Sequence, residues 1–117
     1  MNQVGYRRGE IILLDLGKVG EGIIGHEEAK TRPCVVLKSL RQVGLVIIVP
    51  LSSNYPRNSS HTIVDCSQDP FNQGRQSYAL CHQIRAVSDE RVIKSRGALD
   101  NKHYNKILTV LADMLEI

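Results

Sequence analysis

Two β-branched runs constrain this chain more than any other feature. "PCVVLKS" (residues 33–39) and "LVIIVPL" (residues 45–51) are separated only by the short polar link "LRQVG". Runs of this length and composition read as strands, and a link this short makes them an antiparallel hairpin. With Ser39 opposite Leu45, paired residue numbers keep a constant sum, so Cys34 faces Pro50 and Arg32 faces Ser52. Directly opposed residues have Cβ atoms roughly 4.5–5.5 Å apart, so the register brings a cation and a hydroxyl together at the open end of the hairpin. Pro33 adds a local constraint. It holds Arg32 in extended geometry and suits the start of a strand, because it has no N–H to contribute. The register alone admits two readings of Arg32: a solvated charge at a strand end, or a mounted functional group.

The remaining chain supplies more short strands. "EIILLDL" follows Gly9 as a compact apolar run, "HTIVD" is a short strand, "SYALCHQIRAV" is a longer one, and "RVIKSRGAL" holds the last. The loop "GKVGEGIIGHEEAKT" is too long for a tight turn, and "SSNYPRNSS" and "SQDPFNQGRQ" are polar connections. Long loops on a rigid scaffold often carry function. After Asp100 the period changes. Tyr104, Ile107, Leu108, Leu111, Met114 and Leu115 make one helical face, as core or dimer packing, with Asp100 as its N-cap. Several short strands and one terminal helix point to a mainly β (α+β) domain spanning residues 1–117. Its sheet is expected to be small and strongly curved, or closed into a barrel, with the helix packed on it.

Composition narrows the classes. A chain of 117 residues suits one domain with a modest core. With one Phe, four Tyr and no Trp, that core must be aliphatic. The net charge of +3 permits an anionic partner without demanding one. The longest apolar run, Leu45 to Leu51, is too short to cross a bilayer, and "MNQVGYRRGE" has no signal-like apolar region, so the expected location is cytoplasmic. Cys34, Cys66 and Cys81 are odd in number and scattered, which favours free thiols. His61, Cys66, Cys81 and His82 lack any zinc-site spacing, so no metal and no cofactor are expected.

Four segments in order, "RRGEIILLDL", "GHEEAKTRPCVVL", "VIIVPLSSN" and "LCHQIRAV", resemble the MazF/PemK toxins, the endoribonucleases of bacterial toxin–antitoxin pairs. The shared features are RG-[DE] before an apolar run, RP before a V/I run, P-hydrophobic-[ST]-[ST], and Q-[IV]-[RK]. The resemblance implies a small SH3-like barrel with a C-terminal helix, usually a homodimer. It implies sequence-selective, metal-independent cleavage of single-stranded mRNA, and an acidic, partly disordered antitoxin. The family's catalytic arginine falls on Arg32 and its catalytic hydroxyl on Ser52, where many relatives have threonine. A glutamate of the first loop in some relatives matches Glu27. Lys30 and Thr31 stand where many relatives have glycine.

The chemistry such residues support is attack by the neighbouring 2′-OH, leaving a 2′,3′-cyclic phosphate and a 5′-OH. A guanidinium at Arg32 forks onto phosphate oxygens. Ser52 can donate to the same phosphate or orient the 2′-OH. Neither is a base; acid–base chemistry alone favours His26, and the resemblance favours Glu27. The RNA-contacting set is His26, Lys30, Ser53, His61, Gln83 and Arg85, the last pair standing at alternate positions of one strand and so sharing a face. Each has an ordinary counterpart reading: Ser52 and Ser53 as turn residues, Glu27 as a loop charge, Gln83 as a buried brace, Cys34 and Cys81 as core thiols. Two other functions fit the same barrel. One is a CcdB-like gyrase poison, whose typical terminal Trp-Gly-Ile is absent from "DMLEI". The other is a catalytically inactive RNA-binding relative.

Overall fold

The computed structural model describes residues 5–17, 31–54, 61–68, 71 and 76–117. Seven strands and one helix occur among them: β1 (Glu10–Asp15), β2 (Thr31–Leu40), β3 (Leu45–Ser52), β4 (Ile63–Gln68), β5 (Gln76–Leu80), β6 (Arg85–Ser88), β7 (Val92–Ala98) and α1 (Asn101–Leu115). The sheet runs β4-β5-β3-β2-β1-β7, with β6 also pairing β3. Every pairing is antiparallel. The mainly β chain with a terminal helix is as expected. The path is open, however: among the described residues β4 and β7 are its two ends, and no pairing closes them into a barrel.

The central runs are apolar throughout because both faces of β1–β3 are covered. On one face Ile11, Val35, Val49, Leu51, Val64 and Ala79 form a core with Tyr104, Ile107 and Leu111 of the helix. On the other, Ile12, Leu14, Leu16, Cys34, Val36, Val46, Ile48 and Val87 form a second core. Successive residues alternate between the two, so each strand contributes to both.

The hairpin departs from the expected register at its tip. Leu40 pairs with Leu45 and Ser39 with Val46, one step from the Ser39–Leu45 pairing expected. A 3-10 turn (Arg41–Val43) makes the reversal, and Gly44 ends it at φ +69°, a conformation that L side chains rarely adopt. A bulge between Val36 and Lys38 then takes up one residue, and Cys34 faces Pro50 as expected.

"SYALCHQIRAV" is two strands. The Ile84 N–H donates to the Cys81 carbonyl at 3.2 Å, closing a 3-10 turn (Cys81–Gln83) between β5 and β6. "HTIVD" likewise enters its strand only at Ile63, after a turn at His61 and Thr62. Gly9, at φ +86°, ties distant elements together: its N–H donates to the Val36 carbonyl and its carbonyl accepts from Leu99. Helix α1 starts where expected. The Asp100 carboxylate accepts from the His103 N–H at 2.8 Å, and the same pair holds the Asp100 carboxyl below the usual carboxylate range. Within this chain the core takes only part of the expected stripe. Tyr104, Ile107 and Leu111 are buried, whereas Leu108 and Leu115 are 39% and 56% exposed. No described helix is long and apolar enough to cross a membrane.

Burial pushes the Cys66 and Cys81 thiols up to about 12, so their reactive thiolates are scarce at neutral pH. Native protein should therefore leave both cysteines unlabelled by a disulfide reagent at pH 8, with labelling only after unfolding; rapid native labelling of either would refute this. Ser77 is 1% exposed, and no described group partners its hydroxyl. Ser77→Ala should raise stability by about 1 kcal/mol in urea unfolding, the desolvation of one unpaired hydroxyl. A clear loss of stability would mean that the hydroxyl is hydrogen-bonded.

Candidate active site

Two prolines mark the place where the ladders change partners. Pairing of β2 with β3 ends at Cys34↔Pro50. On its other edge β3 pairs with β6 from Leu45 to Ile48 and with β5 at Leu51 and Ser52. Pro50 sits between these two stretches, where no partner strand requires its missing N–H. Pro33 sits one residue beyond the last β2–β3 pair and faces Leu13 of β1. Both prolines thus occupy ladder interruptions, which is where a sheet tolerates them.

Arg32 and Ser52 each lie two residues beyond that last pair, on neighbouring strands. Arg32 is half-buried and pairs with Leu14. Ser52 is 8% exposed and pairs with Tyr78. Strand alternation puts Arg32 on the face of Cys34 and Val36, and Ser52 on the face of Ile48 and Pro50. Those faces are the same one, since Cys34 opposes Pro50 and Val36 opposes Ile48. The Ser52 hydroxyl is engaged locally: it donates to the Asn54 carbonyl at 3.2 Å and accepts from the Asn54 N–H at 3.1 Å. This is a serine turn, the ordinary reading of Ser52-Ser53, and it fixes where the chain leaves the sheet. Ser53 is exposed beside it.

The other sequence candidates are distributed differently. Glu27, His26 and Lys30 lie outside the described residues. His61 is exposed in the turn before β4. Next to it, Thr62 Oγ1 and His82 Nδ1 are 2.9 Å apart in a hydrogen bond joining that turn to the 3-10 turn after β5. Gln83 does not share a strand face with Arg85, because it belongs to that turn while Arg85 opens β6. The turn's i→i+3 bond replaces the ladder, so the period-2 argument fails there. Arg85 pairs with Ile48 and is half-buried on the second-core side, four β3 residues from Ser52.

The structure also brings to this face residues that no sequence motif marks. From Ser52 the pairing continues through Tyr78 to Asp65 of β4. Asp65 Oδ1 accepts from Gln76 Nε2, and both residues are exposed on this face. No local signal could have found this row, because it depends on long-range pairing of β3, β5 and β4. Among the described residues, no three His, Cys, Asp or Glu side chains gather as a metal site. The arrangement therefore offers a half-buried guanidinium, a hydroxyl held by Asn54 and a half-buried phenol where the second core ends, a set suited to binding a phosphate and a base.

Solved structures share this architecture. A mycobacterial endoribonuclease, described in complex with its cognate antitoxin, superposes with a TM-score of 0.66 at 20% identity, over 94% of this chain and 94% of that one. A second mycobacterial endoribonuclease gives a TM-score of 0.67 at 19% identity, over 100% of this chain and 95% of that one. MazF from Deinococcus radiodurans gives 0.69 at 18% identity, over 97% of this chain and 99% of that one. At these identities the likeness speaks for the fold. The family assignment comes from the sequence match: residues 7–115 fit the description of PemK-like, MazF-like toxins of type II toxin–antitoxin systems. Because that match spans nearly the whole chain, this protein belongs to the PemK/MazF toxin family.

Proposed function

We propose that the chain is an endoribonuclease toxin that cleaves single-stranded RNA at selected sequences without a metal, and is held in check by an acidic antitoxin. The observation that carries this reading is the placement of Arg32 and Ser52 on one face, just past the point where the β2–β3 ladder ends. Structurally similar proteins described as endoribonucleases, one of them bound to its antitoxin, support it.

In this mechanism the Arg32 guanidinium takes two oxygens of the scissile phosphate and stabilises the charge that builds up as the 2′-OH attacks. The Ser52 O–H turns from the Asn54 carbonyl to a phosphate oxygen when RNA arrives. Its hydroxyl also holds the chain exit in place through the Asn54 N–H. Glu27 takes the 2′-OH proton, the P–O5′ bond breaks as the cyclic phosphate forms, and a solvent water gives the leaving 5′-oxygen its proton. Ser53, His61 and Arg85, with His26, Lys30 and Gln83, contact the flanking nucleotides. The protein acts as a homodimer. An acidic antitoxin segment competes for the same cations, so rising salt weakens both complexes.

Single-turnover cleavage of a fluorescent RNA in excess EDTA tests this. Wild type should give 2′,3′-cyclic phosphate and 5′-OH ends; a magnesium requirement or 3′-OH products would overturn the chemistry. Arg32→Ala should lose on the order of 10²–10³ in rate, the scale for removing one transition-state donor. Arg32→Lys should recover part, because an ammonium keeps the charge but not the fork. Ser52→Ala should slow cleavage and also lower stability by about 1 kcal/mol, because it removes both hydrogen bonds to Asn54. Ser52→Thr retains the oxygen and should stay active. Full activity in folded Arg32→Ala would reduce the arginine to a surface charge.

A further inference from the structure

Tyr78 is the residue directly opposite Ser52 in the β3–β5 pairing, so both side chains leave the sheet on the same face. The burial pattern of β5 fits this: Ser77 and Ala79 are buried on one face, and on the other exposure falls from Gln76 through the half-buried Tyr78 to the buried Leu80. Other described aromatics serve the interior. Tyr104 belongs to the first core and Phe71 packs on it, with the Arg96 guanidinium 5.1 Å from its ring centre, while Tyr6 packs on the second core. Among the described aromatics, Tyr78 alone is part of neither cluster. In a chain with one Phe, four Tyr and no Trp, an aromatic side chain spared from the core is a notable use of a scarce residue.

Beside Tyr78 on this face stand Ser52 on one side and Asp65 on the other, with Gln76 bonded to Asp65. A half-exposed ring one strand from a phosphate-handling hydroxyl is placed where a nucleotide bound by its phosphate projects its base. Proteins that read single-stranded RNA on open sheet faces use aromatic side chains in this way, because every base has a π-face to stack. We infer that Tyr78 is a stacking platform for the nucleobase adjoining the scissile phosphate. It contributes to RNA affinity and to the choice of base at that position, with no part in the bond-making step. This rests on the proposed ribonuclease function.

The test uses the full chain and an RNA whose cleavage site has first been mapped with wild-type protein. That RNA carries a 2′-deoxy nucleotide at the cut, which blocks cleavage, and 2-aminopurine at each flanking position in turn. Wild type and Tyr78→Phe should quench 2-aminopurine at one flanking position and bind alike. Tyr78→Leu should melt like wild type, lose that quenching, and bind roughly tenfold more weakly, as expected for one lost base–aromatic stack. On cleavable RNA its KM should rise while kcat at saturation stays near wild type. If Tyr78→Leu binds and quenches as wild type does, in a preparation that cleaves RNA, Tyr78 is no platform and the ribonuclease reading stands. If wild type neither binds nor cleaves RNA, both fall together.

Discussion

The structure depends on how β3 divides its two edges. One edge is held by β2 from Leu40↔Leu45 to Cys34↔Pro50. The other is shared, with β6 on its first half and β5 on its last two residues. This division lets one strand belong to both halves of a bent sheet. It also creates a place where ladders stop. Proline is confined to such places, because its missing N–H would otherwise leave a carbonyl unpaired inside a sheet. Pro50 and Pro33 both fill that role, and the candidate site opens beyond them.

Burial on two faces follows from the same arrangement. A strand in the middle of a bent sheet has the helix-covered core on one side and the second core on the other. That is why "IILL" and "LVIIV" show no polar alternation. The polar residues appear where one of the cores ends: Arg32 past Cys34, Ser52 past Pro50, and then Tyr78 and Asp65. Arg32 and Tyr78 are only half-buried there and Asp65 is exposed, while the buried Ser52 hydroxyl is bonded to Asn54, so these groups escape the penalty an unpaired polar group would meet a few residues inward.

The hairpin reaches its expected Cys34↔Pro50 pairing by a different route. An unbroken ladder with Ser39 opposite Leu45 would begin the turn one residue earlier than observed. The actual turn shifts the register by one, and the bulge at Leu37 shifts it back. The two offsets cancel at Cys34↔Pro50. Had the turn been as observed with no bulge, Ser53 rather than Ser52 would have lain in line with Arg32. Since strand faces alternate residue by residue, the bulge decides which serine shares a face with the arginine. A bulge leaves no clear mark in "VVLKS", since Leu37 is as good a strand residue as its neighbours.

Local chemistry determined much by itself. β-branched runs with a short link dictate a hairpin, Asp100 with the spacing of Tyr104, Ile107 and Leu111 dictates a capped helix, and scarce aromatics dictate an aliphatic core. The four ordered motifs carried the family. Only the tertiary structure decided the rest. It broke "SYALCHQIRAV" at Cys81, since a strand passing from one half of a bent sheet to the other must interrupt its ladder, and so removed Gln83 from the face of Arg85. It left Leu108 and Leu115 outside the core, because a helix lying on a curved sheet buries a narrower stripe than its apolar residues define. And it set Tyr78 against Ser52, a pairing between distant segments that no local preference encodes, because strand partnership is settled by the packing of the whole sheet.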